Sequence, residues 1–219
     1  MIQIICIKWG AKYSSEYVNR LYWGIVRNTT KRFSFTCYTE DPKGIQSSEI
    51  KIEPIPYFTG DWFSKIGLYN QELYHAEDQI FYFDLDTVIT GDLDDILSYS
   101  GDFIILQDFY RPKGYGSGLM SWAPHAVNHM WTNYTKGYRA RNGDQGWCEE
   151  QYPGADLWQK MYPEKIISYK IHIVNGGKQR NAAYTDNKGS LATSSIVCFH
   201  GRPNPHEVTH EPWIQQNWI

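Results

Sequence analysis

The sequence predicts an α/β protein: a mixed, mainly parallel sheet flanked by helices, in one domain over residues 1–219. Three observations predict it. Short apolar runs rich in β-branched and aromatic residues recur at 2–7, 33–38 and 80–83, as buried strands do. A segment of helical periodicity separates the first two, which is the strand, helix, strand order of a parallel sheet. At 219 residues the chain is long enough for a sizeable core and short enough that one domain is the default.

Taken in order, residues 2–7 open the sheet. After the turn at Gly10, Ser14 or Ser15 caps a helix whose Val18, Leu21, Tyr22 and Ile25 share one face. A second strand at 33–38 ends in the turn Asp41-Pro42-Lys43-Gly44, and a third at 50–53 is stopped by Pro54 and Pro56. From 62 to 74, Phe63, Ile66, Tyr69 and Leu73 suggest a further helix. The apolar run 80–83 then reads as a central strand that delivers Asp84 and Asp86 at its end. Beyond it come a short capped helix at 92–97, strands at 103–106 and 119–122 around the loop 111–116, and a helix at 124–134 with Pro124 in its first turn. Residues 168–195, polar and carrying Gly176-Gly177, give no periodicity.

Charge and composition narrow the function. The 21 Lys and Arg against 24 Asp and Glu give a net charge of −3, with the cations scattered, so generic nucleic-acid binding is disfavoured. No apolar stretch is long enough to span a bilayer and the opening residues lack the pattern of a signal peptide, which points to a soluble, cytoplasmic protein. Cys6, Cys37, Cys148 and Cys198 lack metal-binding spacing and read as reduced core residues. The 9 Trp and 17 Tyr suit stacking on sugar rings as well as core filling. Trp213 and Trp218 fit packing onto the domain, an acceptor site or a membrane surface.

The most informative string is Phe83-Asp84-Leu85-Asp86-Thr87. On an extended backbone two carboxylates two residues apart point to the same side and can share a cation, and the end of a central parallel strand is where open α/β sheets bind ligands. Hard oxygen donors favour Mg or Mn, and an added imidazole favours Mn. Alone, the pair reads equally as solvated turn acids. It also resembles the DxDx(T/V) motif of haloacid-dehalogenase-type phosphatases, with Asp84 as nucleophile, although that motif follows the first strand of its domain. A calcium-binding EF-hand loop is disfavoured, because its sixth position here is Ile89 rather than glycine.

Several strings together resemble the GT-A (Rossmann-like) nucleotide-sugar transferases, in particular glycosyltransferase family 8 and related bacterial and phage proteins. They are Cys6-Ile7-Lys8-Trp9-Gly10 with Tyr13, Glu16 to Tyr22, Phe35 to Asp41, the Asp84-Leu85-Asp86 motif, Gly116-Ser117-Gly118, Gly143-Asp144-Gln145-Gly146-Trp147, and Val197-Cys198-Phe199-His200-Gly201-Arg202-Pro203. The resemblance implies that Asp84, Asp86 and His200 hold the metal, Mn or Mg. It implies that Lys8, Tyr13, Tyr38, Asp84, Leu85, Ser117, Gly118, Gly201 and Arg202 serve the donor nucleotide, and that Asp144 and Gln145 stand at the donor sugar. Two positions depart from the family pattern. Gly116 stands where an asparagine is frequent, and Asn204 where a lysine commonly contacts the diphosphate, which leaves Arg202 for that contact. A retaining transfer from a UDP-sugar to a hydroxyl of an unidentified acceptor (sugar, glycan, protein or modified nucleic acid) is what the resemblance implies. A nucleotide- or carbohydrate-binding module without turnover is the non-enzymatic alternative.

Overall fold

A computed structural model describes residues 1–111, 113–174 and 189–219. Its main sheet has seven strands in the order β3-β2-β1-β4-β7-β6-β8, where β1 is Ile2–Lys8, β2 Phe33–Thr39, β3 Ile50–Glu53, β4 Gln79–Phe83, β6 Phe103–Gln107, β7 Tyr115–Trp122 and β8 Asp156–Leu157. The first four run parallel, β7 is antiparallel to both β4 and β6, and β8 is parallel to β6. A second sheet of three strands, β5 (Thr87–Ile89), β10 (Ile196–Cys198) and β9 (Ile166–Ser168), stands in that spatial order. The sheet is therefore mixed and mainly parallel, as the sequence predicts.

Both faces of the main sheet are buried, and alternation along each strand sorts side chains between them. Ile4, Cys6, Phe81 and Phe83 join α1 (Ser15–Arg27) and Trp158 on one side. Ile5, Ile7, Ile80 and Tyr82 face Ile66, Tyr69, Met130 and Trp147 on the other, where α2 (Pro124–Thr132) and α3 (Gly143–Gln151) lie. The α1 face read from the sequence, Val18, Leu21, Tyr22 and Ile25, is buried. All four cysteines are free and buried. Trp218 is buried against Tyr17 with the Arg20 guanidinium over its ring, and Trp213 lies beside Phe199, so the C-terminal segment, which includes α4 (Pro212–Asn217), packs on the body.

Four local expectations need correction. Residues 62–74 form 3₁₀ turns, Trp62–Tyr69 and Gln71–Leu73, rather than one α-helix. Phe63, Ile66 and Tyr69 are spaced by three, the period of a 3₁₀ helix, and the Asn70 side chain accepts from the Glu72 N–H to start the second turn. The capped helix expected at 92–97 shrinks to a 3₁₀ turn at Ile96–Ser98. The strand expected at 119–122 begins at Tyr115, so Tyr115 and Gly116, expected in the loop 111–116, lie in β7 together with Ser117 and Gly118. The helix after Pro124 stops at Thr132, two residues early. In the stretch 168–195, a π-helical turn Tyr169–Val174 follows β9, and Gly176-Gly177 lies outside the described residues.

Candidate active site

The string Asp84-Leu85-Asp86 is where the chain leaves the main sheet at β4 and enters the small one at β5. Its backbone is held from both sides: the Asp84 N–H donates to the Gly118 carbonyl of β7 at 2.8 Å, and the Phe199 N–H donates to the Asp86 carbonyl at 3.1 Å. A further bond from the Thr87 N–H to the Asp84 carbonyl closes a turn, so the acids do not share the extended backbone expected of them. They still face common space, because two cavities meet at Asp84 and Asp86.

The larger, about 520 Å³, lies over the C-terminal end of β1 and includes Trp9, Lys12, Tyr13, Trp62, Lys65 and Leu85 in its lining. The smaller, about 190 Å³, holds Gly116, Gly118, Gln145, Asp108, Phe109 and His200. The arrangement thus brings Asp84, Asp86, His200, Gly118 and Gln145 to one cleft, with Tyr13 and Leu85 on its other side.

Lys65 joins the two acid positions that the sequence treats separately. Its Nζ stands 2.9 Å from Asp84 and 3.5 Å from Asp144, contacts the carbonyl and hydroxyl oxygens of Ser117 at 3.2 Å each, and sits 4.9 Å above the Tyr82 ring. Burial by itself would lower the pKa of this ammonium, but the carboxylates of Asp84 and Asp144 outweigh it and raise the pKa. The Tyr82 hydroxyl donates to the same Asp84 oxygen at 2.6 Å. Sequence reasoning missed Lys65, although one signal was present: it is the single charged residue in the otherwise buried, mostly apolar run Phe63–Tyr69.

Asp86 is buried and accepts a hydrogen bond from the Tyr13 hydroxyl at 2.7 Å. Burial, followed by the charge of Asp84, pushes its carboxyl up to about 7, opposed by the Tyr13 hydroxyl. His200 lies flat on Phe109, with ring centroids 5.2 Å apart, and its Nε2 is hydrogen-bonded to the Ser168 hydroxyl. Burial and then the charge of Lys170 push His200 down to about 4, leaving a neutral imidazole at pH 7. Two carboxylates that repel one another beside a neutral imidazole are chemically suited to a divalent cation. As they stand, their polar atoms are engaged by Tyr13, Lys65, Tyr82 and Ser168, and among the described residues no three His, Cys, Asp or Glu side chains are grouped as a ligand set.

Asp144 lies in the first turn of α3, two residues after the cap position, Asn142, which is in the left-handed conformation at φ 71°. Apart from the Lys65 ammonium at 3.5 Å, its buried Oδ2 meets no hydrogen-bond donor among the described residues. Ser117 is buried and engaged by Lys65. A Cβ on Gly118 would stand 3.3 Å from the Asp84 Oδ2, so this position keeps β7 close to the carboxylate. Of the expected nucleotide contacts, Lys8, Tyr38, Ser117, Gly201 and Arg202 line neither cavity, and neither does Asp144 of the expected donor-sugar pair. Lys8 is buried with its ammonium donating to the Asp41 carbonyl at 3.2 Å. Tyr38 is packed in the core, where burial pushes its hydroxyl up to about 12. Arg202 is exposed and lowers the pKa of Glu207, behind the larger influence of the Asn204 backbone. Gly201 turns the chain at φ 85° directly after His200.

This fold is that of the GT-A glycosyltransferases. Among solved structures, the bifunctional glycosyltransferase WbbM superposes with a TM-score of 0.71 at 10% identity, over 98% of this chain and 50% of its own, so the chain spans half of that protein. An active-site mutant of LgtC gives 0.67 at 10% identity, over 98% of this chain and 93% of its own. GlyE from Streptococcus pneumoniae TIGR4 gives 0.62 at 13% identity, over 93% and 55%. No family model and no curated protein sequence matches the chain. Among the described residues no helix is long and apolar enough to cross a membrane.

Proposed function

We propose that this chain is a glycosyltransferase that moves a sugar from a UDP-sugar to an acceptor hydroxyl, with a divalent cation, Mn or Mg, and with retention of configuration. The observation that carries this reading is the convergence of Asp84, Asp86, Lys65, Gln145 and His200 on one double cleft at the strand ends of a GT-A fold, with Asp144 buried against Lys65. Asp84, Asp86 and His200 are the residues that would hold the cation, whose bound chemistry is Lewis-acid stabilisation of the departing nucleoside diphosphate.

The remaining roles belong to the chain. Tyr13 orients Asp86 through its hydroxyl, and Lys65 fixes Asp84 against Asp144. Asp144, buried outside both cavities with its Oδ2 3.5 Å from the Lys65 ammonium, holds that ammonium in place beside Asp84. In the transfer, the anomeric carbon–oxygen bond breaks with its electron pair passing to the diphosphate. The acceptor oxygen forms the new bond, and its proton goes to the departing phosphate oxygen. Gln145, an uncharged amide lining the smaller cleft, is a poor nucleophile, which favours attack from the leaving-group face without a covalent sugar intermediate.

Release of UDP from a panel of UDP-sugars, with Mn and then with EDTA, tests the proposal. Mn-dependent release from one donor, abolished in Asp86→Ala, is expected. No release from any donor, together with no Mn-dependent UDP binding by calorimetry, sinks it. Retention is tested separately by NMR of the product's anomeric proton.

A further inference from the structure

Trp62 is the most exposed of the nine tryptophans, at 66%, and it lines the larger cavity. Trp9, on the same cavity, packs against the core, whereas Trp62 belongs to neither core cluster. Its Cε3 lies 3.7 Å from where a Cβ on Gly143 would stand, at the start of α3, and two residues further on Gln145 lines the smaller cavity. The indole therefore stands between the larger cavity and the helix that carries Gln145.

The turn that displays it is held firmly. Asp61 Oδ1 accepts from the Thr59 hydroxyl at 2.6 Å and from the Phe63 N–H at 2.9 Å, and Asp61 Oδ2 pairs with Arg139 at 3.3 Å. The Arg139 guanidinium in turn lies 4.6 Å from the centre of the Phe63 ring. A side chain fixed in this way loses little freedom when a ligand settles on it.

An uncovered indole in a cavity leaves apolar surface in water, and its neighbours indicate what covers it. The same lining carries Lys12, Asp61, Asp84 and Asp86, so a lipid tail or an apolar peptide side chain would desolvate charges without pairing them. A pyranose ring has an apolar C–H face edged by hydroxyls. The face covers the indole, and the hydroxyls reach the carboxylates. Asp61, 35% exposed, keeps acceptor capacity on Oδ2 beside the Arg139 contact. The donor diphosphate belongs with the cation beside buried Asp86, whereas Trp62 is on the solvent side of the same cavity, where a second substrate enters.

We propose that Trp62 is the stacking platform for the acceptor and that the acceptor is a saccharide. This rests on the glycosyl-transfer reading above and narrows its acceptor to one chemical class.

The test is saturation-transfer NMR with a panel of methyl glycosides of hexoses, pentoses and N-acetylhexosamines on the wild type, Trp62→Ala and Trp62→Phe. Calorimetry of UDP with Mn and thermal unfolding accompany each variant, and loss of an exposed side chain is expected to leave unfolding close to wild type. Saturation of pyranose C–H protons is expected in the wild type, with affinity about tenfold weaker in Trp62→Ala and largely kept in Trp62→Phe. UDP is expected to weaken by much less. Unchanged glycoside binding in Trp62→Ala, or a loss of UDP affinity as large as that for the glycoside, overturns the platform and leaves the donor reading intact. A wild type that binds UDP but no glycoside overturns the saccharide assignment alone. No UDP binding by the wild type removes the donor reading, and the acceptor role with it.

Discussion

At the scale of single residues, Lys65 decides how the acids behave. Its side chain is 10% exposed and stands between Asp84, about a third exposed, and Asp144, at 8%. Removing one member of a buried ion pair leaves the other charge uncompensated and costs about 3–5 kcal/mol when both are fully buried. Because Asp84 is partly solvated, Lys65→Met is expected to lose roughly 2–3 kcal/mol in urea unfolding. Lys65→Arg, which keeps the charge, is expected to lose less. Equal stability of Lys65→Met and wild type would mean that the ammonium does not compensate these acids. The acids were legible in the sequence because two Asp after an apolar strand form a recognisable string. Lys65 was not, since what singles it out is burial, and burial of one lysine depends on what packs over it.

At the scale of elements, the turn after α1 is held by one carboxylate. Asp94 accepts from the Thr29 hydroxyl and from the Thr30 N–H and hydroxyl. These bonds, the Thr29 hydroxyl first, push its pKa from 3.8 down to about 2. A carboxylate depressed in the folded state stabilises it above its unfolded pKa, and that contribution is lost as pH falls through the folded value. Asp94→Asn is therefore expected to flatten the fall in stability between about pH 4 and pH 2, measured as urea midpoints across that range. An unchanged slope would place the acid sensitivity elsewhere. This is also the scale at which periodicity misled: spacing by three at 63, 66 and 69 suits both an α and a 3₁₀ helix over one or two turns. Only the side chain of Asn70, and the crowding at Gly67, where a Cβ would stand 2.9 Å from the Tyr57 nitrogen, decide between them.

At the scale of the whole molecule, the cleft joins two sheets, so a ligand in it cross-links parts of the chain far apart in sequence. On the nucleotide-sugar reading, UDP with Mn is expected to bind the folded state alone, and at a hundred times Kd it would add about 2.7 kcal/mol. For a chain of this size that corresponds to a rise in Tm of about 5–10 °C, read by calorimetry. The rise should disappear in Asp86→Ala, and a full rise in that variant would place the nucleotide elsewhere.

The sequence by itself determined the strand runs, the α1 face and the string Asp84-Leu85-Asp86, because these depend on local periodicity and on the neighbours of each residue along the chain. The parallel pairing of β1, β2, β3 and β4 followed from the alternation of strands with intervening segments. Only the tertiary structure decided that the string turns between two sheets, that Lys65 bridges Asp84 to Asp144, that Lys8 and Tyr38 lie outside both cavities, and that Lys170 reaches the His200 carbonyl. Most of these set side by side residues far apart along the chain, and the first turns on a change of sheet. Such contacts are fixed by how whole faces pack rather than by the preferences of any one segment.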